Sequence, residues 1–312
     1  MASFDGSIEQ AGLEVSILLV VSKRKVKNKM IAVDLFGGMG NQMFQYALGR
    51  HLAIKNESSL TLFHVDVGFS SQRPYALGCF KLASKAQIKL DAKNKKAKIW
   101  RKLRNLLGVE ESVVREDSFH FDPKILDLRG NIHLHGYWQS EKYFKDIRPT
   151  ILEDFTFVRP LNNRNQRIFD EIKKTNSVSV HVRRGDYVIN QQTNKFHGIC
   201  GPDYYKKAVD IIAKRVGNPV FYFFSDDIGW VKKNLKTNYK NVYVDLNIGE
   251  QSFVDMQLMS NCRHNILANS SFSWWGAWLN FNPGKIVVAP KKWFQDPSMD
   301  TKDLIPSGWI KV

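Results

Sequence analysis

Cysteine is scarce in this 312-residue sequence, and no two cysteines lie close together. Cys79, Cys200 and Cys262 are an odd number, and their wide spacing argues against a disulfide framework. A structural zinc site is disfavoured for the same reason, because such sites draw on closely spaced ligand pairs. We therefore expect a protein of a reducing cytoplasm.

Long hydrophobic runs are also missing. The apolar stretch 15–21 is interrupted by Ser16 and is far shorter than the roughly 20 residues that a membrane-spanning helix needs. Acidic residues precede this stretch and the basic cluster 23–29 follows it, which is the reverse of a secretory signal. Residues 1–28 are therefore expected to form an appended or poorly ordered lead-in to a cytoplasmic protein.

Acidic residues are few, with 30 Asp and Glu against 46 Lys and Arg, for a net charge of +16. This balance favours an anionic partner but does not choose between a nucleotide, a nucleic acid and an anionic membrane surface. The excess is concentrated in Lys81–Arg104, which holds ten basic residues and a single acid, Asp91. Apolar residues recur there at nearly helical spacing, so the segment is predicted to be a basic amphipathic helix pair. A membrane-surface dock and a solvated helical face are both compatible with that pattern.

The first regular unit follows the lead-in. An apolar strand pattern at 30–36 breaks at the glycine turn 37–41, and helical periodicity and a second strand at 60–63 come next. A glycine turn between strand and helix lets a ligand approach the backbone at a helix N-terminus. The glycines do not form the G-x-G-x-x-G pattern, so a nicotinamide cofactor is only weakly supported.

The second half of the chain alternates regularly between strand and helix patterns. A parallel sheet covered on both faces is the structure that such alternation predicts. The expected strands are 178–182, 220–224, 242–246, 265–268 and 286–289, and the expected helices begin at 202, 230, 253 and 274.

Polar residues follow three of these strands at the point where each strand ends. Arg183 and Arg184 follow the first, Asp226 and Asp227 the second, and the segment 269–273 the fourth. Ligands of open α/β sheets bind outside the carboxyl ends of the strands, and neighbouring guanidinium groups suit a diphosphate. The sequence therefore predicts a nucleotide pocket in a cleft between two facing β/α domains.

Several of these features keep a second interpretation. The Asp226–Asp227 pair suits contact with a base or ribose, or a cap for the following helix, better than a metal site. His133 and His135 alternate on one strand, where they begin a zinc site or flank an acceptor loop rich in aromatic residues. Glu141 is a candidate base or a helix-capping residue.

In order and spacing, these motifs resemble the α-1,2-fucosyltransferases of bacteria (glycosyltransferase family 11), a family that also includes the blood-group H enzymes. The resemblance covers roughly residues 30–295. The segments that carry it are Gly37–Ala47, Gly136–Phe144, His181–Tyr187, Phe224–Asp227 and Leu267–Trp275.

The resemblance implies an α/β fold of the GT-B type, with two facing Rossmann-like domains and the active site in the cleft. We expect an acceptor-side domain at 29–160 and a GDP-fucose-binding domain at 161–312. The implied reaction is inverting transfer of L-fucose from GDP-fucose to the 2-hydroxyl of a terminal galactose, without a metal or other cofactor. The acceptor is expected to be an oligosaccharide or a lipid-linked glycan. No nucleic-acid partner is expected, and peripheral membrane contact is assigned to Lys81–Arg104.

The resemblance also assigns roles to single residues. Arg183 becomes the diphosphate clamp, and Glu141 and then Asp186 are the candidate bases. The donor-binding set is His181, Arg184, Asp226, Asp227, Asn269, Ser270, Ser271, Phe272, Gly38, Gly40 and Asn41. The acceptor-binding set is Gln42, Tyr137, Trp138 and Gln139. An α-1,6-fucosyltransferase-like enzyme and a non-catalytic glycan- or polyanion-binding protein are the alternatives.

Overall fold

The computed structural model describes residues 29–64, 73–83, 86–90, 112–185, 195–296 and 298–312. The expected lead-in at 1–28, Asp186 and most of the basic segment lie outside the described residues. Among the helices within these ranges, none has both the length and the apolar character needed to cross a membrane.

The first half of the chain forms a parallel five-stranded sheet in the order β3-β2-β1-β5-β4. Its long helix α1 follows β1 and covers one face. The packing is close, since a Cβ atom at Gly49 of this helix would lie 2.4 Å from Cγ2 of Val33 on β1. The elements are β1 Met30–Leu35, α1 Met39–Lys55, β2 Ser59–His64, β3 Ala86–Leu90, β4 Ser112–Arg115 and β5 Ile132–His135.

Strand β3 corrects one expectation. The start of the basic segment was predicted to be helical, but Ala86–Leu90 pairs in parallel with β2, beginning at Leu60 opposite Ala86. The order of residues 86–90 alternates apolar and polar types, which suits an edge strand, and the backbone gains a full ladder of hydrogen bonds there. The sequence analysis missed this strand because apolar residues recur at nearly helical spacing over the longer basic segment.

The second half forms a parallel six-stranded sheet in the order β11-β10-β9-β6-β7-β8. The predicted alternation of strands and helices is confirmed, and β11 is an edge strand that the sequence pattern did not reveal. The strands are β6 Asn176–Val182, β7 Pro219–Ser225, β8 Lys240–Val244, β9 His264–Ile266, β10 Val287–Ala289 and β11 Ile310–Lys311. The helices from the middle of the chain onwards are α2 Arg148–Asp154, α3 Asn163–Lys174, α4 Pro202–Ala213, α5 Ile228–Asn234, α6 Phe253–Asn261 and α7 Ser271–Leu279. Short 3-10 turns are found at Leu77–Cys79, Pro123–Asp127, Glu141–Tyr143, Lys145–Ile147 and Gly249–Gln251.

The fold class expected from the sequence, two Rossmann-like β/α units of the GT-B type, is confirmed. All strands of the first sheet precede residue 160 and all strands of the second follow it. The domain bounds themselves stay a prediction.

A buried aromatic cluster joins the two units. Helix α7 carries Trp274, Trp275 and Trp278, each no more than 2% exposed. Phe44 of α1 packs on the first two of these indoles, with ring centroids 4.5 and 5.0 Å apart. These tryptophans therefore act as packing residues.

Hydrogen bonds also join the two units beside this aromatic cluster. The indole Nε1 of Trp275 donates to the carbonyl oxygen of Gly40 at 2.9 Å, so α7 is bound directly to the first turn of α1. At the other end of α7, Arg148 donates from Nη2 to the carbonyl oxygen of Trp278 at 2.8 Å and stacks on its ring. The starts of α1 and α7 are thereby held together at the edge where both sheets end.

Candidate active site

Both sheets reverse their strand order, and the candidate residues gather where they do. In the second sheet the chain moves outward from β6 through β7 to β8, then returns to β9 on the other side of β6. In the first sheet the two strands at the point of reversal are β1 and β5. A ligand of an open α/β sheet binds in the crevice at such a switch point, outside the carboxyl ends of the strands. The glycine turn, the Gly136 loop, the arginine pair and the start of α7 all follow strands at these two points.

Arg183 follows β6 and is held by a carboxylate from the next strand. Its Nη1 lies 2.8 Å from Oδ2 of Asp226, and the backbone N–H of Arg184 donates to Oδ1 of the same carboxylate at 2.8 Å. A Cβ atom at Gly185 would lie 2.5 Å from Asp226 Oδ2, so this turn has no space for a larger residue. The guanidinium group of Arg183 is about one-quarter exposed, fixed in position and presented at the strand end.

Arg184 has different surroundings. Its guanidinium carbon lies 3.8 Å from the ring centroid of Trp230, and its Nε donates to Oδ2 of Asp227 at 3.3 Å. The other oxygen of Asp227 accepts the backbone N–H of Trp230 and so caps α5. Capping is the second interpretation that the sequence left open for this carboxylate. Arg184 and Asp227 therefore brace the turn on which Arg183 is presented.

His181 lies one residue before the end of β6 and is 6% exposed. Its ring packs against Phe272 with centroids 5.6 Å apart, and its Nδ1 is buried with no hydrogen-bond partner among the described residues. Burial lowers the pKa of His181 to about 4. The negative charge of Asp226 opposes this shift, and the positive charge of Arg183 adds to it. The imidazole is therefore neutral at physiological pH and keeps one ring nitrogen for a further hydrogen bond.

The start of α7 closes this part of the site. Ser270 caps the helix by accepting the backbone N–H of Phe272 on its hydroxyl oxygen. Ser273 turns its hydroxyl inward to the carbonyl oxygens of Ala268 and Ser270. Helix α7 follows β9, so the positive end of its dipole, which favours an anion, lies on the carboxyl side of the second sheet.

Asn41 is the junction between the two units. Its Oδ1 accepts hydrogen bonds from Gln139 Nε2 at 2.8 Å and from the hydroxyl of Ser271 at 2.7 Å. These three residues follow β1, β5 and β9, so one side chain ties together three strand ends from two sheets. Gly40 lies against the same point, because a Cβ atom there would overlap the backbone of Ser271.

A carboxylate with two imidazole partners lies near the carboxyl ends of the central strands of the first sheet. Asp34 on β1 accepts from His133 Nε2 on Oδ1 and from His135 Nδ1 on Oδ2, both at 2.8 Å. Burial would raise the pKa of Asp34, but the hydrogen bonds and charge of the two histidines outweigh it, so the pKa lies below its usual value. Within the described part of the chain, no group of three His, Cys, Asp or Glu side chains is arranged to hold a metal ion.

A comparison with protein families agrees with this geometry. The model of glycosyl transferase family 11 matches residues 7–312, which is nearly the whole chain. The chain belongs to glycosyl transferase family 11. It is therefore a glycosyltransferase, and the resemblance seen in its motifs is confirmed.

Individual relatives of this family 11 enzyme span its length. An α-1,2-colitosyltransferase of Escherichia coli is 37% identical over 298 residues, covering 91% of this chain and 99% of the relative. The O-antigen biosynthesis glycosyltransferase WbnK of the same species is 35% identical, with 89% and 99% coverage. A galactoside α-(1,2)-fucosyltransferase 2 of Rattus norvegicus is 26% identical, with 80% and 67% coverage.

Two of the predicted binding residues of the family 11 enzyme have their amide groups engaged within the protein. Gln42 donates to the carbonyl oxygens of Gly37 and Pro74 and accepts the N–H of Ala76, each at 2.9 Å. Asn269 donates to three backbone carbonyls, one of them that of Trp293. Both amides shape the loops beside the site, and their predicted contacts with acceptor and donor remain predictions.

The loop after β5 depends on a residue that the sequence analysis missed. Glu116 accepts the backbone N–H groups of Tyr137 on Oε2 at 2.6 Å and of Trp138 on Oε1 at 2.9 Å. Burial raises the pKa of Glu116 to about 7, although both N–H groups oppose that rise. Trp138 is 1% exposed and has a positive φ of 57°, a strained conformation that the carboxylate helps to hold. The position of Glu116 just after a strand was the only signal available in the sequence.

Glu141, the first candidate base, lies away from Arg183. Its Oε2 accepts the indole N–H of Trp278 at 3.0 Å. Since Trp278 is seven residues after Ser271, an axial rise of 1.5 Å per residue puts this contact about 10 Å from the start of α7. The structure thus does not bring Glu141 to the strand ends, and Asp186, the second candidate, lies outside the described residues.

Proposed function

We propose that this family 11 enzyme transfers L-fucose from GDP-fucose to the 2-hydroxyl of a terminal galactose, with inversion and without a metal or other cofactor. The observation that carries the proposal is the position of Arg183 at the β6–β9 switch point, beside the first turn of α7. The name of the rat relative supports the linkage and the galactoside acceptor, and that of WbnK supports a glycan of O-antigen type.

The reaction requires the bond between the anomeric carbon and a β-phosphate oxygen to break while negative charge collects on the diphosphate. Arg183 carries a permanent positive charge, and the start of α7 adds the partial charge of its backbone N–H groups. Charge that is fixed in place before the reaction stabilises such a transition state without reorganisation. The acceptor hydroxyl then attacks from the opposite face in a single displacement, which inverts the anomeric configuration.

Neutral His181 suits the same site. Its buried Nδ1 offers one hydrogen bond to the nucleotide or diphosphate without adding a second full charge beneath Arg183. Phe272, which packs against its ring and is only partly buried, adds an apolar wall. These two side chains form the proposed floor of the donor pocket.

A colitosyl donor is the second candidate. The 37% identity to the colitosyltransferase exceeds the 26% identity to the rat fucosyltransferase, so the assay has to compare the two transferred sugars. The names of both relatives carry the same 1,2 linkage. The two candidates differ in the sugar that the pocket accepts.

The test is a transfer assay with a β-galactoside acceptor such as lactose, run in parallel with GDP-fucose and GDP-colitose. The proposal predicts GDP release with fucose and a product whose NMR spectrum shows an α-1,2 linkage. Activity is expected to persist in EDTA. Transfer of colitose alone would replace the fucosyl assignment, and an α-1,6 product or no transfer from either donor would contradict the proposal.

The role of Arg183 is tested by its replacement with alanine. Loss of a fixed charge at a developing anion slows such reactions by about 10²–10³-fold or more, so we expect at least that loss in kcat. Arg215→Ala is a matched control, because this arginine follows α4 at the opposite edge of the same sheet and is exposed. Full activity of Arg183→Ala at saturating donor would refute the assignment.

A further inference from the structure

The pair formed by Asp34 and His135 is not used by the donor chemistry described above. His135 is the last residue of β5 and directly precedes the Gly136 loop. Asp34 lies on the adjacent strand β1, and the parallel register sets Ala32 opposite His133, so that Asp34 falls beside His135 on the same face of the sheet. The pair therefore stands at the carboxyl edge of the acceptor-side sheet, at its switch point.

The hydrogen bond between them decides which ring nitrogen of His135 carries the proton. The low pKa of Asp34 keeps the carboxylate ionised, so its Oδ2 accepts and Nδ1 of His135 must donate. Nε2 of a neutral imidazole is then left with its lone pair. The side chain of His135 is 30% exposed, so the ring is partly open to solvent.

The loop that follows His135 leads to the start of α7. Phe36 packs against the His135 ring, with centroids 5.2 Å apart, and leads directly into the glycine turn. Gln139, four residues after His135, donates to Asn41, which also accepts a hydrogen bond from Ser271 at the start of α7. The imidazole therefore lies at the end of the strand whose following loop contacts the helix start assigned to the diphosphate.

We propose that His135 accepts the proton of the acceptor hydroxyl and that Asp34 is the positioning residue that fixes its tautomer; this inference rests on the proposed function. In the step, the hydroxyl oxygen bonds to the anomeric carbon of the donor while the bond from that carbon to the β-phosphate oxygen breaks. The bonding pair leaves with GDP, and the hydroxyl proton moves to Nε2 of His135. The imidazolium that forms is stabilised by the Asp34 carboxylate and later releases its proton to water.

Two other carboxylates near this loop are less suited to the task. Both oxygens of Glu116 accept backbone N–H groups of the loop, and this carboxylate is partly buried, so it holds the loop in shape. Glu141 accepts the indole N–H of Trp278 on Oε2, at the end of α7 opposite the proposed diphosphate site.

The chain supplies a matched control on the same strand. His133 has the same carboxylate partner as His135 but lies two residues further from the loop, with its ring 5.6 Å from Phe63. We therefore compare His135→Asn with His133→Asn in the transfer assay at saturating donor and acceptor. General base catalysis contributes about 10²–10⁴-fold, so we expect His135→Asn to lose at least 100-fold in kcat and His133→Asn less than tenfold.

Binding and folding are measured on the same variants. GDP affinity is expected to stay within about twofold in both, since neither residue belongs to the diphosphate site. If His135→Asn lowers the melting temperature strongly, the activity of His135→Ala is measured with and without added imidazole instead. Partial recovery of activity by imidazole is then expected, and a merely structural side chain would not give it.

Asp34→Asn tests the positioning role through the pH dependence of kcat. The titratable and charged groups around His135 are Asp34 and His133, Arg115, which is paired with it in register on β4, and Glu116 and Tyr137 at the following loop. Asp34 is the carboxylate bonded to the ring, and removing its charge destabilises the imidazolium, so we expect the acidic limb of the profile to move to lower pH. A fall in kcat with an unchanged KM should accompany this shift.

The outcomes separate this inference from the function on which it rests. Transfer by His135→Asn within threefold of wild type, or equal losses in the two histidine variants, would overturn the role of His135 and leave the fucosyl transfer intact. An unmodified enzyme that transfers neither fucose nor colitose would instead overturn the proposed function.

Discussion

Replacing Gly40 with alanine tests the contact that brings the two helix starts together. A Cβ atom there would lie 2.4 Å from the carbonyl carbon of Ser271, 2.6 Å from its oxygen and 2.7 Å from the nitrogen of Phe272. Carbon atoms in proteins prefer separations of about 3.5–4.0 Å. All three neighbours are backbone atoms of α7, so relief requires the helix start to move by about 1 Å.

The energetic effect has two opposing parts. Alanine in place of glycine near the start of α1 favours the helix by up to about 1 kcal/mol. Overpacking of a buried contact costs about 1–3 kcal/mol or more, and the movement also strains the Trp275 and Ser271 hydrogen bonds across the interface. We expect a net loss of about 2 kcal/mol in the free energy of unfolding, together with at least tenfold weaker GDP binding because the proposed diphosphate site moves.

Gly38→Ala is the control for this substitution. Gly38 precedes α1 with φ −73° and ψ 172°, which any residue adopts, and no atom lies within 4 Å of its added Cβ. Urea denaturation of both variants gives the comparison of stability, with less than about 1 kcal/mol expected for the control, and calorimetry compares GDP binding by Gly40→Ala with that of wild type. A Gly40→Ala variant as stable as Gly38→Ala, with unchanged GDP affinity, would refute the close approach of α1 and α7.

Two further predictions concern carboxylates. Burial raises the pKa of Asp255 from 3.8 to about 7 although Asn247 donates to it, so the folded state holds a proton between those pH values that the unfolded state has lost. The free energy of unfolding therefore falls as pH rises through this range. In urea denaturation, Asp255→Asn should become more stable than wild type by about 2–3 kcal/mol between pH 5 and pH 8, whereas exposed Asp245→Asn should show no such gain. An equal pH response of wild type and Asp255→Asn would contradict the burial argument. Glu141→Gln keeps an acceptor for Trp278 and should leave kcat within about threefold in the transfer assay; a loss beyond 100-fold would restore Glu141 as the base.

The alternation of strands and helices was visible in the sequence because apolar runs and turn residues report it locally. The strand-end clusters followed from that alternation, since all parallel strands end at one edge of a sheet. For this reason the sequence alone places Arg183 and Ser271 near a common site. Strand β3 was missed because five alternating residues lie inside a longer stretch of helical spacing.

The partners of individual side chains were not predictable in the same way. Asp34 and His135 are about 100 residues apart, and only the pairing of β1 with β5 brings them together. Gln42 and Asn269 are assigned to ligand contacts from the motifs that contain them, and their hydrogen bonds to the carbonyl oxygens of Pro74 and Trp293 were not foreseen. Such bonds depend on tertiary structure and leave no pattern along the chain.

The most direct test of the central claim is the product of the purified enzyme with GDP-fucose and a β-galactoside, analysed by NMR for wild type and Arg183→Ala. The account predicts an α-1,2-linked fucosyl product from wild type and at least a 100-fold lower rate from the variant at saturating donor. An unchanged rate in Arg183→Ala, or a wild-type product with another linkage, would contradict it.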